Sequence, residues 1–550
     1  MDKRTLYALL AMLALFLVFD QFVWRPQARR KAQAQEQSRQ AAAELPAELP
    51  TDSSEVSQPG QVATVTPLDS LASPSASEET FSLHNDLMQV SFSTRGAVIT
   101  QVELNNYKIN DEEQVRLINA DSRIAGTTIL SAGATQSLDT KVFAYSVAAD
   151  SASVTFYLGA PDSPTVAKTY SLDQSYGIKL DLKLQEVPGI IGLEHDFSSG
   201  IADSEEYLRS KAQDYKFLIY NAQLQKISVN SLKKKPPTSQ ISGFDWAAIR
   251  SKYFTIAVLE NEPVITNDFS AFISKENASP AFKLISKQRQ ARNDWQQSFL
   301  IYAGPADYDI LKAYGKSLEN VAERGAAWLR WLAGIFAWLL KFLHKLIPNY
   351  GVVIIIFSIL MKILLHPFTH KQMDASIKMQ RIQPQVQAIQ AQYKNDPKMM
   401  QMELSKLYKE NGASPFSGCL PLLIQMPIFI SLYNVLRYSL DMRNAGFIFW
   451  LKDLSEPDKF MVLPILMGVF MILQSRMMRP PVQDEANMDE KQKAMQSSQK
   501  MMTWMMPVMM FFIFRSMPAG LVLYWTVFNV LSIVQQYYLQ KHFRTQEVTQ

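Results

Sequence analysis

The sequence predicts a multi-pass α-helical membrane protein: six spans, five of them a helical core, with a large all-β sandwich domain outside and a helical hairpin in the cytoplasm. Three observations carry this. A polar first half with period-two alternation gives way to an apolar, methionine-rich second half, a split hidden in the mean hydropathy of −0.07. Apolar runs of about spanning length recur, first at residues 6–24 and then from residue 350 onward. The loops between the later runs differ sharply in basic charge.

Composition narrows the function classes. A chain of 550 residues holds several domains, and its net charge of +4 gives no support to nucleic-acid binding. The single cysteine, Cys419, excludes an intrachain disulfide and leaves the compartment open. There is no Walker loop, HExxH or GxSxG pattern. Only His84 and His195 precede residue 340, too few for a histidine-based metal site, and Glu194-His195-Asp196 reads as ordinary surface or turn. No catalytic residue, metal or cofactor is expected.

Residues 1–25 form an N-terminal transmembrane anchor. A signal peptide is the rival reading, but no small-x-small cleavage site follows; Trp24-Arg25-Pro26 comes directly after the apolar run. Residues 26–79, rich in Gln, Ala, Glu, Ser and Pro, bury too little apolar surface to fold and form a flexible tether. Residues 80–325 alternate: Ile178, Leu180, Leu182 and Leu184 are interleaved with Lys179, Asp181 and Lys183, a half-buried strand. Further strands are expected at 88–93, 97–104, 154–158, 253–259 and 298–302, and a helix over 307–324 closes the sandwich. In residues 326–348, Arg330, Gly334, Ala337, Lys341 and Lys345 share one helical face with Trp, Leu, Ile and Phe opposite. That design lies in the membrane interface, anchored by Arg330, Lys341 and Lys345.

Residues 349–540 form the core. Spans are expected at 350–366, 419–440, 460–474, 501–514 and 521–539, with the hairpin 368–417 broken at Lys394-Asn395-Asp396-Pro397. The hairpin carries Lys371, Lys378, Arg381, Lys394, Lys398, Lys406 and Lys409, and the loop after residue 474 carries Arg476, Arg479, Lys491, Lys493 and Lys500. The positive-inside rule sets both in the cytoplasm, which puts the β-domain outside and both termini inside. Residues 541–550 are a short, weakly basic tail.

Polar residues recur within the spans. Ser358 and Lys362 lie four apart on one face; Gln425, Asn434 and Arg437 mark the next span; Trp525, Asn529, Ser532 and Gln536 form one stripe in the last. Such residues face a bundle interior or a wet cavity. They also serve as interhelical glue, and Lys362, about 6 Å of helix from His366, is near enough to the membrane edge to snorkel. Composition alone does not choose between these. The runs 460–473 and 501–514 cover only about 21 Å each, short of a ~30 Å hydrocarbon core.

Residues 418–433 (GCLPLLIQMPIFISLY), 517–525 (MPAGLVLYW) and the basic residue ahead of HPFTHKQ at 366–372 resemble the YidC family of membrane protein insertases; STRGAVITQVELNNY at 93–107 resembles the start of the periplasmic domain of its Gram-negative members. The resemblance covers nearly the whole chain. It implies insertion of nascent membrane proteins into the bacterial inner membrane, alone or with Sec translocon components, with residues 26–348 periplasmic. It implies a hydrophilic groove open to the cytoplasm beside thinned bilayer, its positive charge at Lys362, its lining at Ser358, Gln425, Asn529, Ser532 and Gln536, and client-contacting aromatics at Tyr524 and Trp525. Lys362 stands where arginine is usual in the family, keeping charge and losing the planar fork. The resemblance also implies membrane lipids as partners and ribosome contact through the cytoplasmic loops. Two other classes compete: a polytopic solute or lipid transporter, for which no internal repeat is found, and an envelope glycan enzyme, for which no acid–base pair is found.

Overall fold

The computed structural model describes residues 77–110, 112–131, 134–149, 151–234, 243–260, 266–393, 396–412, 420–477 and 505–548. The expected anchor, almost all of the tether and Cys419 lie outside the described residues.

β1 (Thr80–His84), β2 (Met88–Ser93), β3 (Val98–Lys108) and β4 (Gln114–Arg116) form a four-stranded antiparallel sheet in chain order. β5 (Gly126–Ser131), β6 (Thr135–Ser137), β7 (Ala144–Val147), β8 (Ser153–Ala160), β9 (Ser163–Leu172), β10 (Gly177–Leu184) and β11 (Ile190–Phe197) follow. After the short helix α1 (Lys211–Asp214) come β12 (Lys216–Asn221), β13 (Gln223–Ser228), helix α2 (Val229–Lys234), β14 (Trp246–Arg250), β15 (Phe254–Glu260), β16 (Thr266–Ile273), β17 (Pro280–Arg292) and β18 (Trp295–Pro305). They build a nine-stranded sheet, β13-β12-β14-β15-β18-β10-β9-β8-β7, and a five-stranded one, β16-β17-β11-β5-β6.

The alternation read in β10 is what the structure uses. Ile178, Leu180, Leu182 and Leu184 are buried while Lys179 and Lys183 face solvent. They join one core with Phe92, Phe156, Tyr170 and Trp246. Lys168, on β9, is also fully buried and donates to the carbonyls of Gly96, Ala97 and Ala125 at 3.0, 3.3 and 3.1 Å. Three neutral acceptors satisfy its donors without a carboxylate in contact.

Two local expectations are corrected. Glu194-His195-Asp196 is not a surface turn: it lies in β11, whose pleat turns His195 inward against Phe299 (ring centroids 5.0 Å apart), with Nδ1 3.3 Å from Thr127 Oγ1. Burial, together with the Lys168 charge, pulls this imidazole down to about 3, so it stays neutral. The closing helix over 307–324 is broken. Helix α3 (Tyr308–Ala313), N-capped by Asp307, stops at Gly315, Lys316 and Ser317, all with positive φ, before a separate 3₁₀ turn at Leu318–Val321.

The helical half comprises α4 (Arg330–Leu346), α5 (Tyr350–Leu364), α6 (His366–Gln392), α7 (Pro397–Glu410), α8 (Leu420–Tyr438), α9 (Val462–Met477), α10 (Met505–Phe514) and α11 (Ala519–Val548). α6 and α7 follow one another, and Asp396 caps α7 through its side chain with Pro397 in the first turn; Lys394 and Asn395 of the expected breaker lie outside the described residues. Among the described residues one helix segment, Ala519–Leu539, is long and apolar enough to cross a membrane; Tyr350–Leu364, Val462–Met477 and Met505–Phe514 are shorter apolar helices.

α4 has three faces rather than two. Ala333, Phe336, Leu340 and Leu343 pack into the helical core, Trp331, Ile335, Trp338, Phe342 and Leu346 are exposed, and the polar stripe runs between. On that stripe Arg330 donates to Asn320 (3.1 Å), Lys341 pairs with Asp441 (3.2 Å) and Lys345 is exposed. An exposed apolar face flanked by cations suits a lipid surface.

Candidate functional site

The site is built where α5 crosses α11. α5 is apolar throughout except for Ser358 and Lys362, one turn apart, and both are buried. α11 turns the same kind of stripe toward it: Thr526, Asn529, Ser532 and Gln536 are all buried. Lys362 Nζ donates to Ser532 Oγ at 2.7 Å and sits 4.6 Å above the Phe528 ring centroid. Among the described residues no carboxylate pairs with it; a hydroxyl and a ring face are its partners. A ring face contributes roughly 0.5–2 kcal/mol to holding an ammonium, which is less than a buried carboxylate would. The charge is therefore held but not neutralised.

Other polar groups split into satisfied and waiting. Ser358 Oγ, Thr526 Oγ1 and Ser532 Oγ each donate to the carbonyl four residues earlier (Ile354, Val522 and Phe528), all at 2.7 Å. Trp525 Nε1, Asn529 Nδ2 and Gln536 Oε1 are buried with no protein partner among the described residues. Toward the end of α5, Gln535 Nε2 reaches His366 Nδ1 (3.3 Å) and Thr369 Oγ1 (3.4 Å). The stripe is polar, cationic and incompletely satisfied, with two donors and one acceptor open, which suits an anionic or hydrogen-bonding occupant.

Of the residues read from sequence, the structure brings together Lys362, Ser532 and, along the same stripe, Asn529 and Gln536. Ser358 lies on the face of Lys362 with its hydroxyl turned to its own backbone. Gln425, on α8, does not meet Lys362; its Nε2 donates to Tyr524 OH at 3.2 Å. Tyr524 is fully buried beside Phe357, and Trp525 is half-buried between Phe429 and Phe514. Both aromatics are wall packing in this conformation. Phe528 and Gln535 carry no expectation from the sequence, and His366 and Thr369 enter there only through the motif at 366–372 and as the edge of the span, with no role in the site. Phe528 precedes Ser532 by four residues, and that spacing was the available signal.

Residues 342–547 match the family described as 60Kd inner membrane protein, and residues 80–339 match the YidC periplasmic domain. The membrane protein insertase YidC of Geobacter sulfurreducens is 31% identical over 83% of this chain and 85% of its own length. This chain belongs to the YidC family of membrane protein insertases.

The YidC of Syntrophus aciditrophicus is 29% identical over 98% of this chain and 100% of its own, and that of Chlorobaculum parvum 30% identical over 88% and 86%. A solved structure of an active YidC insertase with its first transmembrane domain resolved covers 84% of this chain and 93% of its own, at 18% identity and a TM-score of 0.35. A galactose mutarotase-like protein from Lactobacillus casei covers 41% of this chain and all of its own, at 9% identity and a TM-score of 0.27. Membership in the YidC family makes this an inner-membrane insertase that acts on nascent membrane proteins, its β-sandwich the periplasmic domain.

Proposed function

We propose that the seam between α5 and α11 is the client groove, with Lys362 as its positive charge. The observation that carries this is an ammonium buried among neutral partners: Ser532 Oγ and the Phe528 ring hold it, and no carboxylate cancels it. Such a charge attracts acidic, outward-bound parts of a client into the membrane, where electrostatic attraction is strong. Ser358, Gln425, Asn529, Ser532 and Gln536 line or support the groove, and Tyr524 and Trp525 meet the client when the wall loosens.

The helices beside the groove favour shallow insertion. α5 has 15 residues, about 22 Å of helix, and the apolar runs 460–473 and 501–514 are about 21 Å each. Each falls short of the ~30 Å hydrocarbon core, so lipid around them thins. In this reading the chain crosses the membrane six times, beginning with residues 6–24. The α6–α7 hairpin, the loop after α9 and both termini lie in the cytoplasm, and α4, anchored by Arg330, Lys341 and Lys345, lies in the outer interface. The division is 1–25 anchor, 26–79 tether, 80–325 periplasmic domain, 326–348 interfacial helix, 349–540 core with hairpin 368–417, and 541–550 tail. Sec translocon components and, through cytoplasmic loops, the ribosome are partners consistent with this work, which is chaperoning and insertion rather than catalysis.

The test is site-specific crosslinking during synthesis of a single-span client. Crosslinkers at Lys362 and Trp525 should capture the client well above one at the exposed, lipid-facing Val469. Equal capture at all three positions sinks the groove.

A further inference from the structure

Three buried ion pairs cross the interface between the periplasmic domain and the core. Asp214, at the end of α1, accepts from Arg437 Nε and Nη2 at 3.0–3.2 Å and from Tyr438 OH at 3.2 Å, and the two charged side chains are 2% and 5% exposed. Glu205 accepts from Arg443 Nε with both oxygens, at 2.9 and 3.0 Å, while Arg443 Nη2 donates to the Ser204 carbonyl at 2.9 Å. Lys252 donates to Glu456 Oε1 (2.6 Å) and to the Ser455 carbonyl (3.2 Å), and its side chain is 3% exposed. An aromatic floor supports the cations: Lys252 Nζ lies 4.7 Å from the Tyr253 ring centroid, and the Arg443 guanidinium 5.4 Å from that of Phe254.

The core partners of these three residues bracket a single segment. Arg437 ends α8, Arg443 opens the loop after it, and Ser455 and Glu456 lie near that loop's far end. Between them the loop folds over the outer ends of three helices. Asn349 Nδ2 donates to the Phe447 carbonyl (3.2 Å), and the Phe447 ring rests on Gly351, where a Cβ would overlap it. Leu451 and Leu454 are buried in the core. The first amides of α11, Ala519 and Gly520, donate to the carbonyls of Glu456 (2.7 Å) and Leu454 (2.8 Å). Asp458 accepts from the Leu463 amide, at the start of α9, at 2.8 Å. Residues 439–461 are thus a plug across the outer end of the core, clamped at both ends by the β-sandwich.

We infer that Glu205, Asp214 and Lys252 are positioning residues that fasten this plug, so that the periplasmic domain holds the insertase closed on its outer side. Beyond the 3₁₀ turn Leu440–Met442 this loop has little regular structure to hold it in place. Apolar side chains and backbone-directed hydrogen bonds from Asn349 and Gly520 anchor its middle, and the ion pairs to the β-sandwich fix its ends. Each pair is desolvated with good geometry, so removing one partner strands a buried charge and favours opening. The inference is independent of Lys362 and survives if the groove lies elsewhere.

The experiment uses the full-length protein in proteoliposomes, in a Cys419→Ser background, with one reporter: Ser455→Cys, a near-isosteric change at a fully buried position beneath Lys252. A membrane-impermeant thiol reagent is applied from the β-domain side. The combined variant Glu205→Gln, Asp214→Asn, Lys252→Met should label about tenfold or more faster than the parent, since losing buried pairs shifts an opening equilibrium by at least that factor. Control reporters Ser93→Cys in the β-sandwich and Ser431→Cys in α8, both fully buried, should not change. The charge-conserving variant Lys252→Arg should accumulate and label like the parent. No selective rise at Ser455→Cys, an equal rise at the controls, or a rise in the charge-conserving variant overturns the inference. If the combined variant fails to accumulate, Glu205→Gln alone is read by the same criteria.

Discussion

Lys362 shows how one buried charge is kept usable. A carboxylate partner would stabilise it and also cancel the field that an acidic client must feel; a hydroxyl and a ring face hold the ammonium and leave that field intact. Lys362→Arg should therefore retain insertion, because neither partner needs a lysine's shape. Lys362→Ala should slow insertion of clients with acidic outer tails by about tenfold and leave neutral-tailed clients little changed, measured as the protected fraction in proteoliposomes. Equal insertion of both client types by the alanine variant would reduce Lys362 to a snorkelling residue. Helical spacing was enough to put Lys362 with Ser358, and Asn529 with Ser532 and Gln536. It was not enough to pair Lys362 with Ser532 across 170 residues, nor to tell that Ser358 spends its hydroxyl on its own backbone. Back-bonding of a buried serine depends on whether a better partner faces it, which is a property of the neighbouring helix.

At the level of elements, legibility followed burial on one side. β10 was readable because one face meets the core and the other meets water; β15, buried at every residue, lacks alternation and was recognisable only by its β-branched and aromatic content. The closing helix failed for a different reason. Apolar spacing continues through Leu311, Leu318 and Val321, but Gly315 lets the chain turn, and the two pieces bury those residues from different directions. α5 presents a close contact with the loop 439–461. Gly351, in its first turn, meets the Phe447 ring with no room for a Cβ. Gly351→Val should destabilise the core by about 1–3 kcal/mol through overpacking, seen as a lower midpoint of unfolding in detergent. Trimming the ring at the same time, in Gly351→Val with Phe447→Ala, should recover part of that loss; no recovery would show that the valine acts through helix propensity instead.

Across the whole molecule the two halves answer to different solvents, and pH should separate them. In the β-sandwich, burial pulls the Lys168 ammonium down from 10.5 to about 7, with Asp139 opposing. Between about 7 and the ordinary lysine range the unfolded chain binds the proton that the folded chain has released, so stability rises with pH there and is lost as pH falls through 7. The urea midpoint of the sandwich, followed by protease resistance in the full-length protein, should climb from pH 7 to about 9, and the unfolding free energy it reports should rise with a slope approaching 1.4 kcal/mol per pH unit. In Lys168→Met the slope should flatten while the midpoint drops, since three carbonyls lose their donor; an unchanged slope would assign the pH response to another group. The two-domain plan was plain in the sequence because composition changes so abruptly, whereas the contacts joining the domains left no periodic trace. Those contacts also carry a consequence in time. Asp214 and Arg437 are 223 residues apart in the chain, and at about 5–20 residues per second the domain waits roughly 10–45 seconds for its partner to be synthesised. An oily docking face would spend that interval as an aggregation site; carboxylates and a lysine spend it hydrated, and give up their water only when the membrane half arrives.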